Sequence, residues 1–187
     1  EVPDIIHVHD WQAGLVPIYL RTLYFGDVRL MNVKTVFTIH NIEYQGSYSF
    51  DDDIIEDVFG ISSNDAYLLE YNGCLNIMKG AIECSNVVST VSPSYAEEIK
   101  TPEHSNGLHE IVKENAYKLR GILNGLDYSF YNPETDKVIY TNYSVNDMTN
   151  KAKNKELLQK EMGLEVVADK PITSSNRIMS SIVLAYL

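Results

Sequence analysis

The sequence has few cysteines, few positive charges and no long apolar run, and each shortage excludes a class of protein. Two cysteines in 187 residues are too few for a disulfide scaffold and favour a reducing compartment such as the cytoplasm. The 15 Lys and Arg against 26 Asp and Glu give a formal net charge of −11. This charge disfavours nucleic acid and anionic membranes as partners, because both are bound through positive charge. The longest apolar stretch, Ile178 to Leu187, is about half of a membrane span.

The remaining composition is typical of a globular protein, with 44% apolar and 22% charged residues. The chain begins without Met and without a charged and apolar leader, so we expect it to start inside a longer gene product. Cys74 and Cys84 fall in or next to one predicted helix over residues 66–83. Ten helical residues separate them by about 15 Å, which is too far for a disulfide.

Short β-branched runs alternate with segments of helical period. The predicted strands cover residues 5–9, 34–39, 86–91 and 120–123. The predicted helices cover 11–24 with a kink at Pro17, 66–83, a segment beginning at Ser92-Pro93, and an amphipathic stretch at 147–162. Residues 43–65 are predicted to be loop with one short helix at 53–59. This alternation predicts an α/β fold with a parallel sheet.

Polar residues follow each predicted strand. They are His9-Asp10, His40-Asn41, Ser92 and Asn124. The carboxyl ends of parallel strands meet at one edge of a sheet, and ligands of such sheets bind in the crevice there. The sequence therefore predicts a site at this edge.

Several of these residues also have a purely structural interpretation. His7 and His9 share one face of a strand, which suits a metal pair, but the pattern favours a structural His7 at the strand end that is bonded to backbone. His40 is either a hydrogen-bond donor to a substrate hydroxyl or a partly buried structural histidine. Asp10 fits the N-cap of the following helix, and Asn124 fits a turn.

Five motifs in order resemble bacterial glycogen synthases and plant starch synthases. They cover residues 3–14, 38–46, 88–99, 121–136 and 154–164. Examples are Pro-Asp-Ile-Ile-His-Val-His-Asp-Trp-Gln-Ala-Gly at the start and Thr-Ile-His-Asn-Ile-Glu-Tyr-Gln-Gly after the second strand.

The resemblance implies the GT-B architecture, in which two Rossmann-like domains face each other across a cleft. Residues 1–165 would be the C-terminal part of the N-terminal, acceptor-side domain, a Rossmann-like parallel sheet with flanking helices. Residues 166–187 would begin the interdomain crossing and continue into a tail that departs from the family pattern. The family transfers glucose from ADP-glucose to the non-reducing end of an α-1,4-glucan, with retention and without a metal or other cofactor.

The resemblance also implies roles for particular residues. It implies catalytic roles for His40, which would contact the donor glucose, and for Asp10 near the transferred sugar. It implies substrate-binding roles for Trp11, Asn41, Gln45 and Asn124.

Departures from the family limit what the chain is expected to do. The tail at 173–187 does not match the donor-binding pattern, so Arg177 is not assigned to the diphosphate. We expect the 187 residues alone to have negligible transferase activity. Two other functions stay open, a non-catalytic glucan-binding module and a metal-dependent hydrolase that uses His7 and His9.

Overall fold

The structure, a computed structural model, describes residues 2–51 and 53–172. The tail at 173–187 lies outside the described residues. The chain divides into two compact units between Asn124 and Gly125. The domain boundary predicted after residue 165 stays a prediction.

Within the described residues the chain forms seven strands and five α-helices. The strands are β1 (Ile5–His9), β2 (Lys34–Ile39), β3 (Ser47–Ser49), β4 (Glu70–Tyr71), β5 (Cys74–Asn76), β6 (Val87–Thr90) and β7 (Leu119–Gly121). The α-helices are α1 (Leu15–Arg21), α2 (Ile77–Cys84), α3 (Pro93–Glu98), α4 (His109–Glu114) and α5 (Thr149–Glu161). Short 3-10 helices cover Trp11–Ala13, Ser63–Leu68 and Ala116–Lys118, and a π-helix covers Ile54–Val58.

The main sheet is parallel and has the strand order β1-β2-β6-β7. This confirms the predicted parallel α/β sheet. The last strand ends at Gly121, two residues before the predicted end at residue 123. A second sheet, β3-β5-β4, is antiparallel and lies within the segment predicted to be loop and helix.

The two faces of the main sheet differ in polarity. Val8, Phe37 and Val88 are buried in a cluster with residues of α2 and α4. Because side chains alternate along a strand, the intervening residues His7 and Thr38 lie on the other face. Ile5 of β1 also lies on that face, where its side chain is exposed to solvent.

The helix predicted over residues 11–24 is shorter than expected, and Pro17 is not in its interior. It starts as the 3-10 turn Trp11–Ala13, and α1 then begins at Leu15. Pro17 therefore lies in the first turn of α1, where a backbone N–H would have no intrahelical acceptor, so proline costs no hydrogen bond. The α-helix ends at Arg21, and the Thr22 hydroxyl donates to the carbonyl of Ile18 at 3.0 Å.

The prediction of a helix over residues 66–83 is wrong for the first half of that segment. Residues 70–76 form the β4–β5 hairpin, and the helix α2 starts only at Ile77. Asn72 and Gly73 at the turn have φ values of 53° and 76°, which is the geometry of the tight hairpin turn favoured by Asn-Gly. Cys74 and Cys84 therefore lie in different elements, and both are free.

The second unit contains the helix α5. The predicted helix over 147–162 is confirmed within two residues, but its amphipathic character is wrong, because its buried side chains are Asn154 and Gln159. Asn154 bonds the backbone N and O of Thr141 at 3.2 and 2.7 Å. No helix in residues 2–51 and 53–172 has the length and apolar character needed to cross a bilayer.

Candidate active site at the carboxyl edge of the sheet

Asp10 connects the ends of the first two parallel strands. Its Oδ1 accepts a hydrogen bond from the backbone N of His40 at 2.8 Å, and its own backbone N donates to the carbonyl of Thr38 at 2.9 Å. Its φ and ψ are 53° and 178°, a region that only glycine adopts without strain. Asp10 occupies the predicted N-cap position of the following 3-10 turn, but its side chain makes no capping hydrogen bond there.

Two histidine rings meet beside Asp10. His9 Nδ1 and His40 Nε2 lie 3.0 Å apart and share a hydrogen bond. Their ring centroids are 5.2 Å apart, and the ring of His7 lies 4.3 Å from that of His9. The strand ends thus place three imidazoles in a row, with His40 at the end nearest the loop after β2.

A chain of side-chain hydrogen bonds runs from His7 across the neighbouring strands of the sheet. His7 Nε2 lies 2.7 Å from Thr38 Oγ1, which lies 2.6 Å from Ser89 Oγ. The partner of His7 is therefore a side-chain hydroxyl and not the backbone that the sequence suggested. Burial, and then the charges of His9 and His40, lower the pKa of His7, so this ring is neutral at neutral pH.

The paired histidines do not form a metal centre of the predicted kind. His7 and His9 share a strand face as expected, but His7 Nε2 contacts Thr38 and His9 Nδ1 contacts His40. Within the part of the chain that the structure describes, no group of three or more His, Cys, Asp or Glu side chains is placed to hold a metal ion.

Trp11 packs against the loop that follows β2. Its indole is half-buried between the two hydrophobic clusters of the first unit. A Cβ at Gly46, where φ is 64°, would lie 2.5 Å from the indole ring. Trp11 therefore has a packing role, which leaves its predicted substrate contact untested.

Gln45 organises the same loop. Its Nε2 donates to the carbonyls of Ile42 and Asn106, both at 3.0 Å, and its Oε1 accepts from Asn76 Nδ2 at 2.7 Å. Asn76 in turn caps α2, since its Oδ1 accepts from Lys79 N at 2.9 Å. A substrate contact from Gln45 stays a prediction, for which Oε1 keeps a second lone pair that could accept from a sugar hydroxyl.

The two remaining predicted residues occupy different places. Asn41 follows His40, and its Oδ1 accepts from the backbone N of Glu43 at 2.9 Å, which tightens the loop. Asn124 is exposed beyond β7, and β6 lies between β7 and β2. The structure thus brings Asp10 and His40 into direct contact, whereas Asn124 follows a strand at the other side of the sheet.

Sequence reasoning missed the roles of three residues of this region. His9 is predicted to lie at this edge and is a candidate metal ligand, but its contact with the ring of His40 was not predicted. Asn76 and Asn106 were not considered, yet both hold the loop, with Asn106 Nδ2 donating to Glu43 O at 3.1 Å. The Asn106-Gly107 pair was the available signal, because such pairs favour the positive φ values of 48° and 91° seen there.

The starch synthase catalytic domain family model matches residues 1–114. This chain belongs to that family. It is 46% identical over 177 residues to the glycogen synthase of Pseudothermotoga lettingae, which covers 92% of this chain and 35% of the relative. It is 45% identical over 171 residues to the glycogen synthase of Thermotoga maritima, covering 88% and 34%.

A solved structure extends the match to the fold. The catalytic domain of starch synthase IV from Arabidopsis thaliana, bound to ADP and acarbose, superposes with a TM-score of 0.66 and 36% identity, covering 88% of this chain and 34% of that one. The resemblance and the Rossmann-like fold of a GT-B starch synthase domain are therefore confirmed. The chain spans about a third of the length of the starch synthase family members that it matches.

Proposed function

We propose that this chain forms the acceptor-side part of the active site of a glucan synthase. The complete enzyme would transfer glucose from ADP-glucose to the non-reducing end of an α-1,4-glucan, with retention at the anomeric carbon. The observation that carries the proposal is the contact of Asp10 with His40 at the carboxyl edge of the sheet. Support comes from relatives named glycogen synthase and from the neighbour bound to ADP and acarbose.

The geometry suits a reaction that develops positive charge on a sugar. Transfer passes through an oxocarbenium-like state, and hydrogen bonds that strengthen in this state accelerate the reaction. In our proposal the His40 imidazole bonds a hydroxyl of the transferred glucose. Asp10 positions His40 through Oδ1, and its Oδ2 accepts from a hydroxyl of the transferred sugar.

Acceptor and donor contacts complete the proposal. The half-buried indole of Trp11 would stack on a glucose ring of the acceptor. Asn41 and Gln45 would bond sugar hydroxyls from the loop, and Asn124 would bond the donor glucose or its phosphate. The charge that develops on departing ADP needs cations or helix N-termini. We assign these to parts of the full-length enzyme outside the matched third.

The proposal therefore includes a negative expectation for the isolated chain. The 187 residues span 35% of a glycogen synthase, and we expect them to show negligible turnover of ADP-glucose. The proposed compartment is the cytoplasm, which the two free cysteines support. A net charge of −11 makes nucleic acid an unsuitable partner.

Calorimetric titration with maltohexaose and, separately, with ADP-glucose tests the proposal. We expect maltohexaose binding to the wild-type chain, at least tenfold weaker binding to the Trp11→Ala variant, whose indole would stack on the acceptor, and no binding of ADP-glucose. Tyr117→Ala is the matched control, because it removes an aromatic ring that is exposed and lies outside the proposed site. Absence of maltohexaose binding to a cooperatively folded wild-type chain would contradict an acceptor site built from these residues.

The same titration separates a second candidate, a non-catalytic glucan-binding module. Exposed tyrosines favour it, since Tyr44, Tyr48 and Tyr67 offer aromatic surface on which sugars stack. Equal maltohexaose affinity in the wild-type and Trp11→Ala chains would support this module and would remove Trp11 from the acceptor site.

A further inference from the structure

We propose that His9 is a positioning residue, which holds the imidazole of His40 in a single tautomer and orientation at the sheet edge. The proposal rests on the proposed function, in which His40 contacts the sugar. It starts from one contact, the 3.0 Å hydrogen bond between His9 Nδ1 and His40 Nε2.

The contact constrains His40 because a neutral imidazole has one donor nitrogen and one acceptor nitrogen. When His9 Nδ1 donates, His40 Nε2 accepts, and the proton of His40 is on Nδ1. When His40 Nε2 donates, its Nδ1 has a free lone pair. The direction of this bond therefore decides whether His40 Nδ1 donates to a sugar hydroxyl or accepts from it.

The ring of His9 is itself held in place. His7 stacks on it at 4.3 Å, and His7 Nε2 is bonded to Thr38 Oγ1 at 2.7 Å. Thr38 is buried and contacts the buried Ser89 at 2.6 Å. The orientation of His40 thus depends on a chain of contacts that ends in the rigid interior of the sheet.

The same pair limits protonation of the site. One added proton leaves an imidazolium that donates to a neutral ring, whereas a second makes both nitrogens donors and breaks the bond. The titratable groups close to the pair are His7 on β1, Asp10 at the end of β1, and Tyr95 of α3, whose hydroxyl accepts from Ile42 N at 3.1 Å.

Tautomer measurement by NMR on the whole ¹⁵N-labelled chain tests the proposal without any ligand. His9→Asn and His9→Leu are matched in size, and only Asn keeps a polar atom at the place of Nδ1. We expect two widely separated ¹⁵N shifts for His40 in the wild-type and His9→Asn chains, and averaged shifts in His9→Leu. His104→Leu is the control and should leave the His40 shifts unchanged.

Each outcome decides the proposal. Averaged shifts in the wild-type chain, or one tautomer retained in His9→Leu, would overturn it. Failure of the wild-type chain to bind maltohexaose would count against the proposed function, whereas the tautomer result would still decide the role of His9.

Discussion

The carboxylate of Asp10 bonds the backbone N of His40 at 2.8 Å, so the residue that ends the first strand fixes the residue that follows the second. Asp10 makes this contact from a backbone conformation with φ 53° and ψ 178°. Strained residues of this kind persist where the surrounding structure holds them, and they cluster at functional sites. The backbone of Asp10 therefore adopts a strained conformation to make this contact, and the strain lowers the free energy of unfolding of the chain.

Substitution of Asp10 separates strain from hydrogen bonding. Both Asp10→Gly and Asp10→Ala remove the bond to His40, but only glycine adopts the observed φ and ψ without strain. We expect Asp10→Ala to be less stable than Asp10→Gly by about 1–3 kcal/mol, measured by urea unfolding. Equal stabilities would show that the conformation at Asp10 is not strained.

Gly46 should be intolerant of a methyl group. Gly46 and Gly60 have nearly equal φ values, 64° and 65°, but a Cβ lies 2.5 Å from the Trp11 ring at Gly46 and meets nothing within 4 Å at Gly60. We expect Gly46→Ala to destabilise the chain by about 1–3 kcal/mol more than Gly60→Ala.

The fluorescence of Trp11 gives a second measurement of the same substitution. The chain has one Trp, so its emission reports on this site alone. We expect a shifted emission maximum in Gly46→Ala and an unchanged one in Gly60→Ala. Identical spectra and stabilities in the two variants would contradict the packing of Trp11 against this loop.

The lowered pKa of His7 predicts a pH-dependent stability. Burial, and then His9 and His40, favour the neutral ring in the folded state, so the unfolded state binds the proton more readily. The contribution of His7 to stability is therefore present above about pH 6.5 and is lost as the pH falls below this value.

Urea unfolding between pH 8 and pH 5 checks this direction. His7→Gln keeps a polar group near the position of Nε2 for the contact with Thr38, but glutamine does not titrate. We expect the free energy of unfolding to fall less with acidity in His7→Gln than in the wild-type chain, whereas His104→Gln should behave like the wild type. A steeper fall in His7→Gln would contradict the sign.

The two cysteines should differ in reactivity. Cys74 is exposed at the hairpin, whereas burial raises the pKa of the Cys84 thiol, and the thiolate is the reactive form. Titration with a coloured disulfide reagent should show one fast and one slow thiol, with rates at least tenfold apart. Cys74→Ser should remove the fast phase, and loss of the slow phase instead would overturn the prediction.

Local sequence patterns predicted the main sheet well. Three of its strands, β1, β2 and β6, are short runs rich in β-branched residues. Ser92-Pro93 begins α3 as expected, with Ser92 Oγ accepting from Tyr95 N at 2.9 Å. These signals depend on a few adjacent residues, so no distant contact is needed to detect them. They were sufficient to place polar residues at one edge of a parallel sheet.

The segment at 66–83 shows where local patterns were insufficient. Its leucines, Leu68, Leu69 and Leu75, fit a helical period, and all three are buried in the structure. The Asn72-Gly73 turn instead folds the segment into a hairpin, whose strand β5 pairs with β3. The paired residues of β3 and β5 are 25 to 29 residues apart in sequence, from Ser49 with Cys74 to Ser47 with Asn76. Hydrophobic periodicity does not detect such distant pairing, so the partner strand decides whether this segment is helix or strand.

The sequence by itself determined the fold class, the family motifs and the identity of the polar residues after each strand. Only the tertiary structure decided which of them meet. Asp10 and His9 reach His40 across 30 and 31 residues of sequence because β1 and β2 pair in parallel, with His9 opposite Thr38. The register of two distant strands sets these contacts, and a one-residue slip would turn the side chains to the opposite face.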